Sequence, residues 1–143
     1  MRILFIDDEP EQISVAVDLV REVLDCSVEV AASVEAAVAI LHSRPVDLVV
    51  TDIFIPLGAT RGGPLGPRAR RYKETVRHLG GLVLLDELER VPDPPLVLAH
   101  TACTDFELIE VLGDRVQQRI PKPAPADVML CAILEAMGLP TPR

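Results

Sequence analysis

Short runs of β-branched and leucine residues alternate with helical periodicity five times along this chain, and that alternation narrows the fold more than any other feature. Arg2–Ile6 is apolar almost throughout, as a strand covered on both faces must be. Ser27–Ala31, residues 46–51 around Leu48-Val49-Val50, and residues 96–100 read the same way. Residues 116–120 form a weaker fifth strand, where Gln117, Gln118 and Arg119 suit a sheet edge. Between the strands lie helical stripes. Ile13, Val17, Val20 and Leu24 share one face after Pro10, and Ser33 can cap a helix carrying Val34, Val38 and Leu41. Residues 104–112 end at Gly113, and a last helix runs from Pro125 to a stop at Gly138. Such β-α alternation predicts an α/β fold, a doubly wound five-stranded parallel sheet with helices on both faces.

At 143 residues, the chain has one domain's worth of sequence. Its 49% hydrophobic and 25% charged residues are an ordinary globular balance. No apolar run nears the roughly 20 residues that span a bilayer. Asp7, Asp8 and Glu9 also cut the apolar run after Arg2 too early for a secretion signal, so a cytoplasmic location is expected. Cys26, Cys103 and Cys131 have neither zinc-site spacing nor an even count. The formal charge of −8 argues against nucleic-acid binding, and no membrane contact is expected.

That charge is uneven. Residues 61–77 hold Arg61, Arg68, Arg70, Arg71, Lys73 and Arg77 against Glu74 alone, a local +5 that leaves −13 on the remainder. The simplest reading is a solvated helix face, favoured over a dedicated site for an anionic partner. Pro67 could open a helix whose stripe runs through Tyr72, Val76, Leu79 and Val83 towards Val91, though Gly80-Gly81 makes a kink or break as reasonable as continuity.

In sheets of this class, ligands bind in the crevice at the carboxyl ends of the strands. Asp7 and Asp8 follow the first strand, Asp52 the third, Thr101 the fourth and Lys122 the fifth. Carboxylates brought together repel unless a cation lies among them, and oxygen ligands of this kind suit Mg²⁺. A lysine and a hydroxyl at the same rim can bind phosphoryl oxygens.

The motifs Ile6-Asp7-Asp8-Glu9-Pro10, Asp47–Pro56 with Asp52 at its centre, Leu98-Ala99-His100-Thr101-Ala102 and Lys122-Pro123 together resemble those of response-regulator receiver domains. The resemblance spans nearly the whole chain and implies the flavodoxin-like strand order 2-1-3-4-5, with residues 1–143 as a single receiver domain. It implies that Asp52 is the phosphoacceptor, with Lys122 and Thr101 as its catalytic companions. Asp8, Asp52 and the backbone carbonyl of Phe54 would hold Mg²⁺ (or Mn²⁺), Asp7 assisting through water. Lys122–Pro123 is often a cis peptide in the family. The implied donor is the phosphohistidine of a histidine kinase or phosphotransfer protein. The implied output is altered binding to a downstream protein, so the chain would catalyse its own phosphorylation and dephosphorylation as a switch rather than a turnover enzyme. With no output domain after Arg143, a stand-alone receiver is expected.

Two departures stand out. Arg119 occupies the place of the family's aromatic switch residue, and an arginine cannot slide into an apolar pocket as a ring does. An ion pair of Arg119 or another face would then carry the signal. A basic insertion at about residues 58–78 leaves the site rim, and the resemblance puts the family's Gly-containing helix start after it, at Gly80-Gly81. The insertion could cover the site, dock a partner or form a homodimer surface through Tyr72, Val76 and Leu79. His100 reads as a packed strand residue. Phe54 and Cys103 stand where the family tunes water access to the acyl phosphate, and an apolar Phe54 predicts slow loss of phosphate. The competing functions are a receiver-fold interaction module that ignores phosphate and a Mg²⁺-dependent phosphatase or phosphotransferase, the latter lacking an Asp-x-Asp pair or a P-loop.

Overall fold

The computed structural model of the chain describes residues 1–58, 66–70 and 79–141. Its strands β1 (Arg2–Ile6), β2 (Ser27–Ala31), β3 (Leu48–Thr51), β4 (Leu96–Thr101) and β5 (Gln118–Pro121) form one parallel sheet in the order β2-β1-β3-β4-β5. The sequence predicts this order through its resemblance, and the observed sheet has it. Ile6 pairs with Ala31 and Thr51, so the first three strands end level with one another.

The helices are α1 (Ser14–Leu24), α2 (Val34–Ser43), a single turn α3 (Pro67–Arg70), α4 (Gly80–Leu88), α5 (Phe106–Leu112) and α6 (Ala126–Ala136). They cover both faces because successive strand residues point to opposite sides. Ile3, Phe5, Leu48, Val50, Leu98 and Ile120 pack with α1 and α6. Leu4, Ile6, Val49, Val97 and Ala99 pack with α2, α4 and α5 on the other side. Ser33 caps α2 as expected, its Oγ accepting from the Ala36 N–H at 3.1 Å. Gly113 and Gly138 stand at φ 60° and 69° just past α5 and α6, where a residue without Cβ ends a helix without strain.

The helix bounds differ from the apolar periodicity in three places. A 3-10 turn at Pro10–Gln12 precedes α1, so the α-helix proper starts at Ser14. α5 begins at Phe106 rather than near Thr104, because the Asp105 carboxylate accepts from the Glu107 and Leu108 N–H groups at 2.9 and 3.3 Å. α4 starts at Gly80 and stops at Leu88. Leu79 has φ −121° and ψ 44°, outside helical geometry, so the stripe from Tyr72 to Val83 is not one continuous helix. Leu79 is also only 6% exposed and belongs to the core, which removes it from any homodimer surface. Tyr72 and Val76 lie outside the described residues, as do Arg61, Arg71, Lys73, Glu74 and Arg77. Among the described residues, no helix is long and apolar enough to cross a membrane.

Candidate functional site

Backbone hydrogen bonds draw the strand ends together. The Asp7 N–H donates to the Ala31 carbonyl at 3.0 Å, the Asp52 N–H to Ile6 at 3.1 Å, and the Lys122 N–H to Thr101 at 3.1 Å. Residues 115 positions apart thereby meet: Lys122 Nζ donates to Asp7 Oδ2 at 2.7 Å and to Asp52 Oδ2 at 2.8 Å. Asp7 and Asp52 are buried, while Asp8 is exposed at the mouth. Lys122 enters on the cis Lys122–Pro123 peptide.

The second oxygen of each buried carboxylate is held by its own loop. Asp7 Oδ1 accepts from the Glu9 N–H at 2.9 Å, and Asp52 Oδ1 from the Phe54 N–H at 3.1 Å. These bonds fix the carboxylates' orientation and leave lone pairs available. One oxygen each from Asp7, Asp8 and Asp52 lies within 4.8 Å of the other two. An all-oxygen set of this kind could hold a hard divalent cation.

Burial pulls the Lys122 ammonium's pKa down, but hydrogen bonds to Asp52 and Asp7 outweigh it and the net shift is upward. Lys122 is therefore a fixed cation beside the two acids. His100 lies near the same charges. Burial lowers its pKa, the Lys122 charge lowers it further, and Asp7 and Asp52 oppose both. It is 7% exposed and its Nε2 has no hydrogen-bond partner among the described residues, consistent with a neutral ring packed in the strand. His100 and Lys122 also line one wall of a cleft of about 470 Å³ with Gln12 and Pro123.

Thr101 is wholly buried, and its Oγ1 accepts from the Cys103 N–H at 3.2 Å. Its hydroxyl is thus engaged with its own loop. The Cys103 side chain is 3% exposed and packs in the core, whereas Phe54 is 41% exposed at the rim. Of the two positions read as controlling water, Phe54 alone has its side chain at the surface. Arg119 donates through Nη1 to the Cys103 carbonyl at 3.4 Å, so it touches the loop that carries Thr101.

Two features of the site were not read from the sequence. α4 begins hard against the loop after Asp52: the Gly80 N–H donates to Ile55 O at 2.9 Å and the Gly81 N–H to Ile53 O at 3.0 Å. A Cβ on Gly81 would stand 2.6 Å from the Ile53 Cα and 2.8 Å from the Asp52 carbonyl oxygen. The paired glycines were the available signal for this close approach. The second is Arg68, which is no solvated helix-face residue. Its side chain is 16% exposed and bonds to α4 and α5. Nothing in the run of arginines distinguishes it, although Arg70 in the same turn is exposed as expected.

No family model matches the sequence, and no curated protein matches it. Solved structures do. A CheY-like response-regulator receiver domain protein from Methanospirillum hungatei superposes with a TM-score of 0.72 at 20% identity, over 96% of this chain and 93% of that one. A two-component response regulator from Clostridium difficile gives 0.73 at 15% identity, over 96% of both chains. Another from Legionella pneumophila gives 0.68 at 17% identity, over 97% of this chain and 99% of that one. With the sheet order and the acidic strand ends, these likenesses give the chain the fold of response-regulator receiver domains.

Proposed function

We propose that this chain is a phosphoryl-accepting receiver, with Asp52 as the acceptor and residues 1–143 acting as a single switch domain. The observation that carries this reading is Lys122 Nζ, which bridges Asp7 and Asp52 at 2.7 and 2.8 Å inside the acidic crevice. A cation held at that point can follow the oxygens of a phosphoryl group as it reaches Asp52.

The residues divide the work as follows. Asp8, Asp52 and the Phe54 carbonyl, with Asp7 through water, would hold Mg²⁺ or Mn²⁺. When bound, the ion offsets the negative charge of the incoming phosphoryl group. The Phe54 N–H and Lys122 hold the Asp52 carboxylate in place, so that little reorientation precedes attack. Asp52 forms a bond to phosphorus as the P–N bond to the donor histidine breaks; the electron pair stays on the imidazole, which takes up a proton. Lys122 stabilises the equatorial oxygens by charge and position. Thr101 then leaves the Cys103 N–H to donate its hydroxyl proton to a phosphoryl oxygen, which moves the loop between β4 and α5. The donor is a histidine kinase or phosphotransfer protein, the recipient of the signal is a partner protein, and the setting is cytoplasmic.

Arg119 favours a second reading. A guanidinium on the Cys103 carbonyl, in the aromatic position, is compatible with an interaction module whose loop is set without phosphate. Incubation with Mg²⁺ and a small phosphodonor separates the two. The switch requires one added phosphoryl group by intact mass, lost in Asp52→Asn. An unlabelled wild type that is folded and binds Mg²⁺ leaves the interaction module.

A further inference from the structure

Of the chain between Gly58 and Leu79, the described part is residues 66–70, and it is fastened at one side chain. Arg68 Nη1 pairs with Asp86 Oδ1 at 3.2 Å and with Glu89 Oε1 at 2.7 Å, while Nε donates to the Val111 carbonyl at 3.0 Å. The Arg68 N–H also points at Asp86 Oδ1, at 3.4 Å. Asp86 lies on α4 with its side chain 4% exposed, and Gly66 packs directly against it. Val111 is in the last turn of α5, where carbonyls lack an intrahelical partner. One planar guanidinium thus joins the carboxylates at one end of α4 to an orphan carbonyl of α5, a fork that an ammonium cannot reproduce.

Both helices are tied to the acceptor site at their other ends. α4 abuts the Asp52 carbonyl through Gly81. α5 follows the Thr101–Cys103 hydrogen bond and the Asp105 cap. A seven-residue helix is a short rigid rod of about 10 Å, so a shift of the loop at its start is carried to Val111 at its end. We propose that Arg68 is an autoinhibitory clasp: it holds α5 against α4 in the resting arrangement, and the movement of the β4–α5 loop on phosphorylation must work against it. The inhibitory part rests on the phosphoryl-acceptor reading; the clasp itself does not. By linkage, a contact that stabilises the resting arrangement lowers the population competent for phosphate, and its removal raises apparent affinity by the same factor.

The decisive variant is Arg68→Lys, which keeps a cation facing Asp86 and Glu89 but has no Nε to reach Val111. Two measurements are made: the affinity of the Mg²⁺-loaded protein for beryllofluoride, a stand-in for the acyl phosphate, and amide hydrogen exchange of α5 without ligand. The clasp requires roughly fivefold tighter beryllofluoride binding than wild type, with faster α5 exchange. Arg68→Ala, if it folds, goes further in the same direction. Unchanged or weaker binding in Arg68→Lys overturns the inhibitory role, and unchanged α5 exchange overturns the clasp. A wild type that takes no beryllofluoride with Mg²⁺ bound overturns the acceptor reading and the inhibition together, while the exchange comparison still decides the clasp.

Discussion

Phe54 holds Asp52 with its backbone and exposes an apolar side chain at the rim, and the two features can be separated. Its N–H fixes Asp52 Oδ1, a bond any residue there can make. Its ring, 41% exposed at the rim, offers water no hydrogen bond. Phe54→Asn would add a polar group able to orient an attacking water, and one such bond of about 1 kcal/mol corresponds to roughly a fivefold rate. On the proposed acceptor role, an acyl phosphate at Asp52 should therefore decay about fivefold faster in Phe54→Asn, measured after donor removal; an unchanged half-life would sink the assignment. His100 gives a prediction in pH. Its folded pKa is lowered, first by burial and then by Lys122, so below its ordinary value of 6.5 the unfolded chain binds more protons than the folded one. Its stabilising contribution is complete above about pH 6.5 and is lost as pH falls through the folded pKa. Urea midpoints at pH 7 and pH 5.5 should differ more in wild type than in His100→Gln.

At the scale of elements, the junction of β3 with α4 leaves no room for a side chain at Gly80 or Gly81. Gly80 and Gly81 let a helix N-terminus pass against Ile53 and Ile55 with backbone bonds of 2.9 and 3.0 Å. Ala is the better helix former by about 1 kcal/mol, but at Gly81 its Cβ would strike backbone atoms that cannot rotate away. Gly81→Ala should lose about 2 kcal/mol net in denaturant unfolding and slow phosphorylation by displacing the Asp52 carbonyl. A more stable Gly81→Ala would show that the loop yields. The glycine pair was legible as an irregularity in a helical stripe, either kink, break or start. Which of these it is depends on Ile53 and Ile55, some 25 residues earlier, because only packing shows what a missing Cβ makes room for.

For the whole molecule, the strand ends gather three carboxylates that Lys122 balances in part. A divalent cation completing that balance would bind the folded chain and not the dispersed acids of the unfolded one. Mg²⁺ at about 100 times its Kd should therefore stabilise the fold by about 2.7 kcal/mol, seen as a raised thermal midpoint. In Asp8→Ala the fold should survive, since Asp8 is exposed, while the Mg²⁺-dependent shift disappears. A full shift in Asp8→Ala would remove it from the metal ligands.

The strands, most helices, the sheet class and the positions of Asp7, Asp8, Asp52, Thr101 and Lys122 were determined by sequence. Apolar periodicity and the order of strand ends are local properties, and a parallel sheet brings its carboxyl ends to one rim whatever else it carries. The tertiary structure decided what depends on contacts far apart in the chain. It gave Lys122 its two carboxylate partners, turned Thr101 onto the Cys103 amide, and placed Arg119 on the same loop. Of the two described arginines in the basic run, Arg68 and Arg70, it set Arg68 against a buried Asp86 and the end of α5. Residue type cannot separate that arginine from Arg70 two positions on, since a charge is a surface group or an anchor according to whether a carboxylate is buried opposite it.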